Sequence, residues 1–246
     1  MKLIQRPSPN HDARPGGGQV DVLLMHYTGM KSAEEAIGRL CDDQAKVSAH
    51  YAVDEAGTIT QMVDENRRAW HAGISHWAGQ DAINDCSIGI EIVNPGHEFG
   101  YQPFPKIQMD AVIDLSRGIL ERHPAITPSR VIGHSDVAPG RKLDPGELFD
   151  WQRLALKGIG QFIDPGSVEP ITGQDLAPGD EGWQVQELQS NFRKFGYRIE
   201  ITNVFDDQTG AVLHVFQQHY RPEALTKIAD IHTQELLRTY LHHRQV

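Results

Sequence analysis

The chain has 246 residues, 39% of them hydrophobic, and a formal net charge of -10. Such a chain can bury a complete core in one or two domains. The negative charge argues against nucleic acids and anionic membrane surfaces as the main partners. No apolar run reaches the length of about eighteen residues that a membrane span needs. Cys41 and Cys86 are too few for a disulfide framework.

The N-terminal segment, MKLIQRPSPNHDARPGGG, is charged and rich in proline. It lacks the apolar stretch of a secretory signal. If the chain is complete, we expect a cytoplasmic protein. A chain that has lost a leader would instead belong in the periplasm.

Residues 1–163 alternate between strand and helix patterns, which predicts an α/β domain with a mixed central β-sheet flanked by helices. Strands are predicted at residues 20–26, 49–54, 58–63, 88–93 and 130–134, and a hairpin turn at residues 54–57 joins the second and third. Helices are predicted at residues 32–42, 106–122 and 145–157. Ser32 is the expected N-cap of the first helix, with Glu35 three residues later.

Residues 164–181 are rich in Pro and Gly without a sustained apolar period, which is typical of a semi-rigid linker. Residues 182–246 then predict a small three-helix domain. Its first helix carries apolar residues at helical spacing, a second follows a cap at Asp206 or Asp207, and the last spans about residues 234–242.

The segment GHSDVAPGRKLDPG, residues 133–146, places His134, Lys142 and Asp144 in a short stretch after a predicted strand. Zinc binds imidazole nitrogen and carboxylate oxygen, and a catalytic zinc takes three protein ligands. The best source of the third ligand is His26, at the end of the apolar run VDVLLM. The alternative is that these histidines are ordinary surface or core residues, since the chain has 13 of them.

Glu91 interrupts the apolar strand SIGIEIV. Alternation places it on the face opposite Ile88, Ile90 and Ile92, together with Gly89. A carboxylate there is costly to bury unless it is paired or used, and Gly89 is expected to leave room beside it for a ligand or water. The alternatives are a solvated sheet face or a structural ion pair.

Five motifs in order, MHYTG (25–29), SAHYAVDEAGTITQMV (48–63), RAWHAG (68–73), INDCSIGIEIVN (83–94) and GHSDVAPGRKLDPG, resemble the zinc-dependent N-acetylmuramoyl-L-alanine amidases of the type 2 amidase family. These are relatives of phage T7-type lysozyme and of the animal peptidoglycan recognition proteins. The resemblance covers about the first 160 residues. It implies one zinc ion as the cofactor and cleavage of the amide between the lactyl group of N-acetylmuramic acid and L-alanine.

The resemblance also implies a role for each matching residue. His26, His134 and Asp144 occupy zinc-ligand positions. Glu91 matches the general base, Lys142 the cation that stabilises the tetrahedral intermediate, and Tyr51 a catalytic tyrosine of some members. The substrate groove is expected to be lined or supported by Trp70, His71 and Asn84, although Trp70 and Trp77 are also candidates for the core. His50, His76 and His97 are given no functional role.

The motifs VQELQSNFRKFGY (185–197) and FDDQTGAVLHVFQ (205–217) resemble the small peptidoglycan-binding domain found beside many wall hydrolases. The alternative is a helical cap that only stabilises the catalytic domain. NDCSIGIEI and APGRKLDPGELFDW look like the recycling amidases that act on anhydro-muropeptides, but the segment between Met30 and Ser48 is shorter than theirs. The expected partner is therefore peptidoglycan or a muropeptide with either sugar form, with no obligate protein partner.

Three other functions stay open. A binding protein that keeps the fold would lack a zinc ligand, whereas all three candidate ligands are present here. A structural wall protein would tolerate loss of Glu91. A zinc peptidase would cut between amino acids and is separated from an amidase by its products.

Overall fold

The computed structural model describes residues 2–169 and 172–243. Over these residues the strands β1 to β10 are, in chain order, Lys2–Gln5, His11–Ala13, Val22–Tyr27, Tyr51–Val53, Thr58–Gln61, Arg67–Ala69, His76–Trp77, Gln80–Asp81, Ser87–Ile92 and Val131–Gly133. The helices α1 to α8 are Ala33–Leu40, Gly96–Phe99, Lys106–Arg122, His134–Val137, Trp151–Ala155, Trp183–Phe195, Asp207–Tyr220 and Ile231–His243. None of the helices in this part of the chain is both long and apolar enough to cross a bilayer.

The central sheet has six strands in the order β1-β5-β4-β9-β3-β10. Strands β4 and β5 form the predicted hairpin and pair antiparallel, whereas the other neighbouring strands pair parallel. The mixed sheet predicted from the sequence is therefore confirmed. Edge strand β1 was not predicted, because its residues are all exposed and carry no alternating apolar pattern.

One face of the sheet packs against α3. Ile88, Ile90 and Ile92 of β9 are fully buried in a core that includes Val112 and Ile119 of this helix. Helix α3 has the predicted bounds, and the Ser32 side chain caps α1 by accepting the Glu35 N–H, as predicted. The predicted alternation of β9 therefore fixes which residues face the core.

The C-terminal helices α6, α7 and α8 confirm the predicted three-helix region, and Asp206 is the cap of α7. Their core continues into the central sheet. Val22, Leu24 and Ile132 of the sheet share one buried cluster with residues such as Phe216 and Tyr220. Part of the predicted linker belongs to this unit, since Leu176 is buried and pairs with Ala229. Residues 170–171 of the linker lie outside the described residues.

One strand and one helix predicted after residue 129 have different bounds in the structure. Strand β10 ends at Gly133 and His134 begins α4, because the Asp136 carboxylate accepts the Gly133 N–H at 2.8 Å and starts a helical turn. The helix predicted at residues 145–157 is shorter, Trp151–Ala155, and Asp150 caps it. The segment between these two helices is irregular, which allows it to bend back toward the sheet.

Candidate active site

Three side chains from distant parts of the chain converge at one end of the sheet. His26 lies near the end of β3, His134 opens α4, and Asp144 lies in the following loop; all three are buried. The Nδ1 atoms of the two histidines are 3.0 Å apart, and Asp144 Oδ2 lies 3.0 Å from His26 Nδ1 and 2.9 Å from His134 Nδ1. The three predicted zinc ligands therefore form one cluster that could hold a metal ion.

Hydrogen bonds orient both imidazoles with Nδ1 toward this cluster. The Ala72 carbonyl lies 3.1 Å from His134 Nε2, so this nitrogen carries the proton and donates. His26 Nε2 lies 3.0 Å from His71 Nδ1, and His71 Nε2 lies 3.2 Å from the Ser87 hydroxyl. Metal-binding histidines commonly donate their second ring N–H in this way, which leaves the other nitrogen free to bind.

The electrostatics favour the protonation states that a metal requires. Burial and the neighbouring His134 lower the pKa of His26 to about 4, so His26 is neutral at pH 7. Burial alone would raise the pKa of the Asp144 carboxyl, but the imidazoles of His134 and His26 hold it well below its usual range. Two imidazoles and one carboxylate are a donor set that suits zinc with an open fourth position.

Glu91 lies on β9 directly beside His26, its register partner on β3. Among the described residues, the buried Oε2 atom of Glu91 has no hydrogen-bond partner. Burial, with a contribution from the negative charge of Asp144, raises the pKa of Glu91 well above its usual value. An unpaired carboxyl of raised pKa beside a metal site suits a group that accepts and returns a proton.

The space beside Gly89 is filled by a side chain, contrary to the expectation of room for a ligand. A Cβ atom at Gly89 would lie 2.5 Å from His71 Nδ1. Behind it, His50 Nδ1 accepts the Gly89 N–H at 3.0 Å. Glycine is therefore needed here so that the His71 ring can approach the strand and bond to His26.

A cavity of about 790 Å³ opens over the cluster. Trp70, His71, Glu91 and Lys142 are among the residues that line it. Trp70 is only partly buried, and its indole N–H donates to Asp12 at 2.7 Å. Trp77, by contrast, is a core residue with 1% exposure. The volume is within the usual range of ligand sites.

Asn84 supports this cavity from behind. It is buried, and its side-chain oxygen accepts the N–H groups of His71 and Ala72 at 3.1 and 2.8 Å. The Ala72 carbonyl in turn bonds to His134. Asn84 therefore does not line the cavity, and holds the segment that orients His134.

Tyr51 is not part of the site, so its predicted catalytic role is wrong. It pairs with Ile90, and its neighbour Ala52 pairs with Glu91, so Tyr51 projects from the opposite face of the sheet. Its hydroxyl donates to Glu65 at 2.8 Å. Burial and this carboxylate raise the pKa of Tyr51 well above its usual value.

Sequence reasoning missed the place of three residues, Arg141, Tyr27 and His97, at the cavity. Arg141 lines it and donates from Nη2 to the carbonyls of Ala72 and Ile74 at 2.8 and 2.6 Å. Tyr27 and His97 line it as well, and the Tyr27 hydroxyl lies 2.9 Å from His97 Nδ1. Arg141 precedes Lys142 in the motif GHSDVAPGRKLDPG, and this position could have identified it as a cavity residue. His97 has no comparable signal.

Two family models match the sequence. The model described as N-acetylmuramoyl-L-alanine amidase (Amidase_2) matches residues 16–147. The model described as “Putative peptidoglycan binding domain” (PG_binding_1) matches residues 181–237. The first spans all three residues of the metal cluster, and the second spans helices α6 and α7 and part of α8.

Two relatives, one of them also solved as a complex, are similar over much of the chain. N-acetylmuramoyl-L-alanine amidase AmiD of Escherichia coli K12 is 35% identical over 91% of this chain and 83% of its own. The 1,6-anhydro-N-acetylmuramyl-L-alanine amidase AmpD of Haemophilus influenzae is 36% identical over 61% of this chain and 88% of its own. A solved complex of E. coli AmiD with the substrate anhydro-N-acetylmuramic acid-L-Ala-D-gamma-Glu-L-Lys has a TM-score of 0.77 and 33% identity, covering 97% of this chain and 93% of that one.

Proposed function

The chain belongs to the N-acetylmuramoyl-L-alanine amidase family, and from that premise we propose that it hydrolyses the amide bond between N-acetylmuramic acid and L-alanine in peptidoglycan fragments, with one zinc ion. The observation that carries this proposal is the cluster of His26, His134 and Asp144 beside the unpaired carboxyl of Glu91. A binding protein would not need a proton-transfer group in that position.

Zinc bound at this cluster would polarise the scissile carbonyl and lower the pKa of a water molecule to about 7. Glu91 takes the proton of the attacking water, since Oε2 has no competing partner in the described chain. Its raised pKa then allows it to return that proton to the departing amine of L-alanine. The paired strands hold Glu91 in place, so little reorganisation is needed.

Lys142 supplies the positive charge for the oxyanion of the tetrahedral intermediate. It lies two residues before Asp144 in the same loop and lines the cavity beside Glu91. A fixed cation stabilises the developing negative charge more than it stabilises the neutral carbonyl of the substrate. Lys142 therefore contributes mainly to the chemical step.

The cavity is lined by the acidic residues Glu35, Glu91, Glu98 and Asp144 and also by three cations that suit the free carboxylates of a peptide. Arg39, Arg141 and Lys142 line it, and the stem peptide of a muropeptide carries free carboxylates that these cations would pair with. The relative solved with substrate holds an anhydro-N-acetylmuramyl peptide. We therefore propose muropeptides as the substrate class, with both the anhydro and the reducing sugar accepted.

The test is product analysis by mass spectrometry. The zinc-loaded protein is incubated separately with an N-acetylmuramyl tetrapeptide and with its 1,6-anhydro form. We expect the intact tetrapeptide and the free sugar acid from each. Cleavage within the peptide would show a zinc peptidase instead, and binding without cleavage of either substrate would show a recognition protein. Turnover of one sugar form alone would disprove the dual preference but leave the amidase assignment intact.

A further inference from the structure

Asp136, two residues after His134, is the point where the catalytic region and the C-terminal helices meet. Its carboxylate has no solvent exposure. It accepts three hydrogen bonds, from the Gly133 N–H at 2.8 Å, the Tyr197 hydroxyl at 2.7 Å and His219 Nδ1 at 2.7 Å. A buried carboxylate is costly unless such donors compensate it. Two of its three donors belong to the C-terminal unit.

Those two donors are themselves held in place. The His219 ring is stacked between Trp151 and Tyr220, with both centroid distances 3.8 Å. Tyr197 is 1% exposed and packs edge to face against Trp77 of the catalytic region. Neither side chain can move away from Asp136 without disturbing the shared core.

The same contacts enclose the segment that carries two of the three metal ligands. Asp136 fixes the first turn of α4, which His134 opens. The Ser135 N–H donates to the Asp144 carbonyl at 2.8 Å, so the backbone of this turn also holds the residue that carries the second ligand. Trp151, which stacks on His219, begins the helix at the far end of the loop. The segment is therefore anchored at both ends by the C-terminal unit.

We infer that Tyr197 and His219 are positioning residues of the metal site: through Asp136 they hold the 133–151 segment in the conformation that brings His134 and Asp144 together. The C-terminal unit is then a working part of the catalytic centre, and this role is separate from any binding of peptidoglycan. The inference rests on the proposed zinc-dependent function. It predicts that metal affinity depends on side chains that never contact the metal or the substrate.

Three full-length variants test the hydrogen bonds separately from the packing. Tyr197→Phe removes one donor to Asp136 and keeps the ring. His219→Phe removes the other donor and keeps the stacking. His219→Asn restores a side-chain N–H near the position of Nδ1 without the ring. Tyr240→Phe is the matched control, because its ring lies in the same buried core and its hydroxyl accepts the Ile163 N–H at 2.6 Å.

The dissociation constant of zinc is measured by competition with a chelator, together with the thermal midpoint of each metal-free protein. We expect Tyr197→Phe and His219→Phe to bind zinc roughly tenfold or more weakly, in the range seen for partners of metal ligands. His219→Asn should recover most of the affinity, and Tyr240→Phe should bind as the parent does. A lower thermal midpoint alone does not distinguish these proteins; the zinc affinity does.

Wild-type zinc affinity in Tyr197→Phe and His219→Phe would overturn the inference and leave the proposed function intact. An equal loss of affinity in Tyr240→Phe would overturn it too, because the effect would then be general to the core. If His219→Phe does not fold, the comparison of Tyr197→Phe with Tyr240→Phe decides the question, since both keep their rings. Absence of zinc binding by the parent protein would instead overturn the proposed function, and the inference with it.

Discussion

His26 and Glu91 are register partners on the adjacent parallel strands β3 and β9, and their side chains lie on the same face of the sheet. A metal ligand and a proton-transfer group are thus placed side by side by backbone hydrogen bonds. Neither depends on a flexible loop for its position. The opposite face of the same strands is filled by isoleucines, so the register also keeps the polar pair out of the core.

Replacement of Glu91 by glutamine tests its role as the base. The amide keeps the shape of the side chain but cannot accept the proton. We expect Glu91→Gln to lower kcat by about 10²–10⁴-fold, as is typical for loss of a general base, while zinc still binds with the parent affinity. The measurement is the rate of tetrapeptide release. A kcat within threefold of the parent, about 0.6 kcal/mol in barrier height, would exclude Glu91 as the base.

Lys142→Met keeps most of the side-chain volume and removes the charge. Because the charge acts on the oxyanion, we expect kcat to fall about 10²–10³-fold with a much smaller change in KM. Lys106→Met is the control, since Lys106 lies on α3, is exposed and pairs with Asp110 at 2.6 Å. A change confined to KM would assign Lys142 to substrate binding rather than to the chemical step.

Gly89→Ala tests the close approach of His71 to the sheet. The added methyl group would lie 2.5 Å from His71 Nδ1 and displace the ring. We expect a loss of about 1–3 kcal/mol in the free energy of unfolding, measured by denaturant titration, together with weaker zinc binding through His26. Gly38→Ala is the matched control, because nothing lies within 4 Å of its Cβ position and it is within α1. It should be neutral or slightly stabilising, and an equal loss at both positions would contradict this account.

Glu65 and the three side chains that donate hydrogen bonds to it predict a pH dependence of stability away from the active site. Burial alone would raise the pKa of Glu65. Hydrogen bonds from Arg122, His123 and Tyr51 outweigh this effect and lower the pKa from 4.5 to about 2. A pKa lowered by folding stabilises the folded state fully above pH 4.5, and this contribution disappears as the pH falls toward 2.

We therefore expect the parent protein to have a higher thermal midpoint than Glu65→Gln above about pH 5, the region where the ordinary carboxyl is ionised. The difference should shrink steadily between pH 4.5 and pH 2. Glu55→Gln, in the exposed hairpin turn, should match the parent protein at each pH. A difference between the parent and Glu65→Gln that is independent of pH would mean that shape, and not charge, is responsible.

Much of the catalytic fold could be predicted because its signals are local. The alternation in β9 predicts both this strand and its buried face, and α3 has the bounds predicted for it. The short strands β6, β7 and β8 carry no such pattern over their two or three residues. Their pairing depends on tertiary contacts that a local pattern does not encode.

The residues of the candidate site also divide into those that a local sequence pattern identifies and those that only tertiary contacts place. His134 and Asp144 are close in sequence and share a motif, so they could be identified. Tyr51 was misassigned because a match to a family motif does not determine which face of the sheet a residue occupies. The contributions of Tyr197 and His219 could not be foreseen, because nothing local links residue 136 to residues 61 and 83 positions later.

The most direct test of the central claim is a zinc titration of the metal-free protein, with bound zinc and the rate of stem-peptide release measured on the same samples. We predict no release without metal, then a linear rise in rate that levels off at one zinc per chain. Full release by the metal-free protein, or a rate that does not follow bound zinc, would contradict the assignment of His26, His134 and Asp144 as the catalytic metal site.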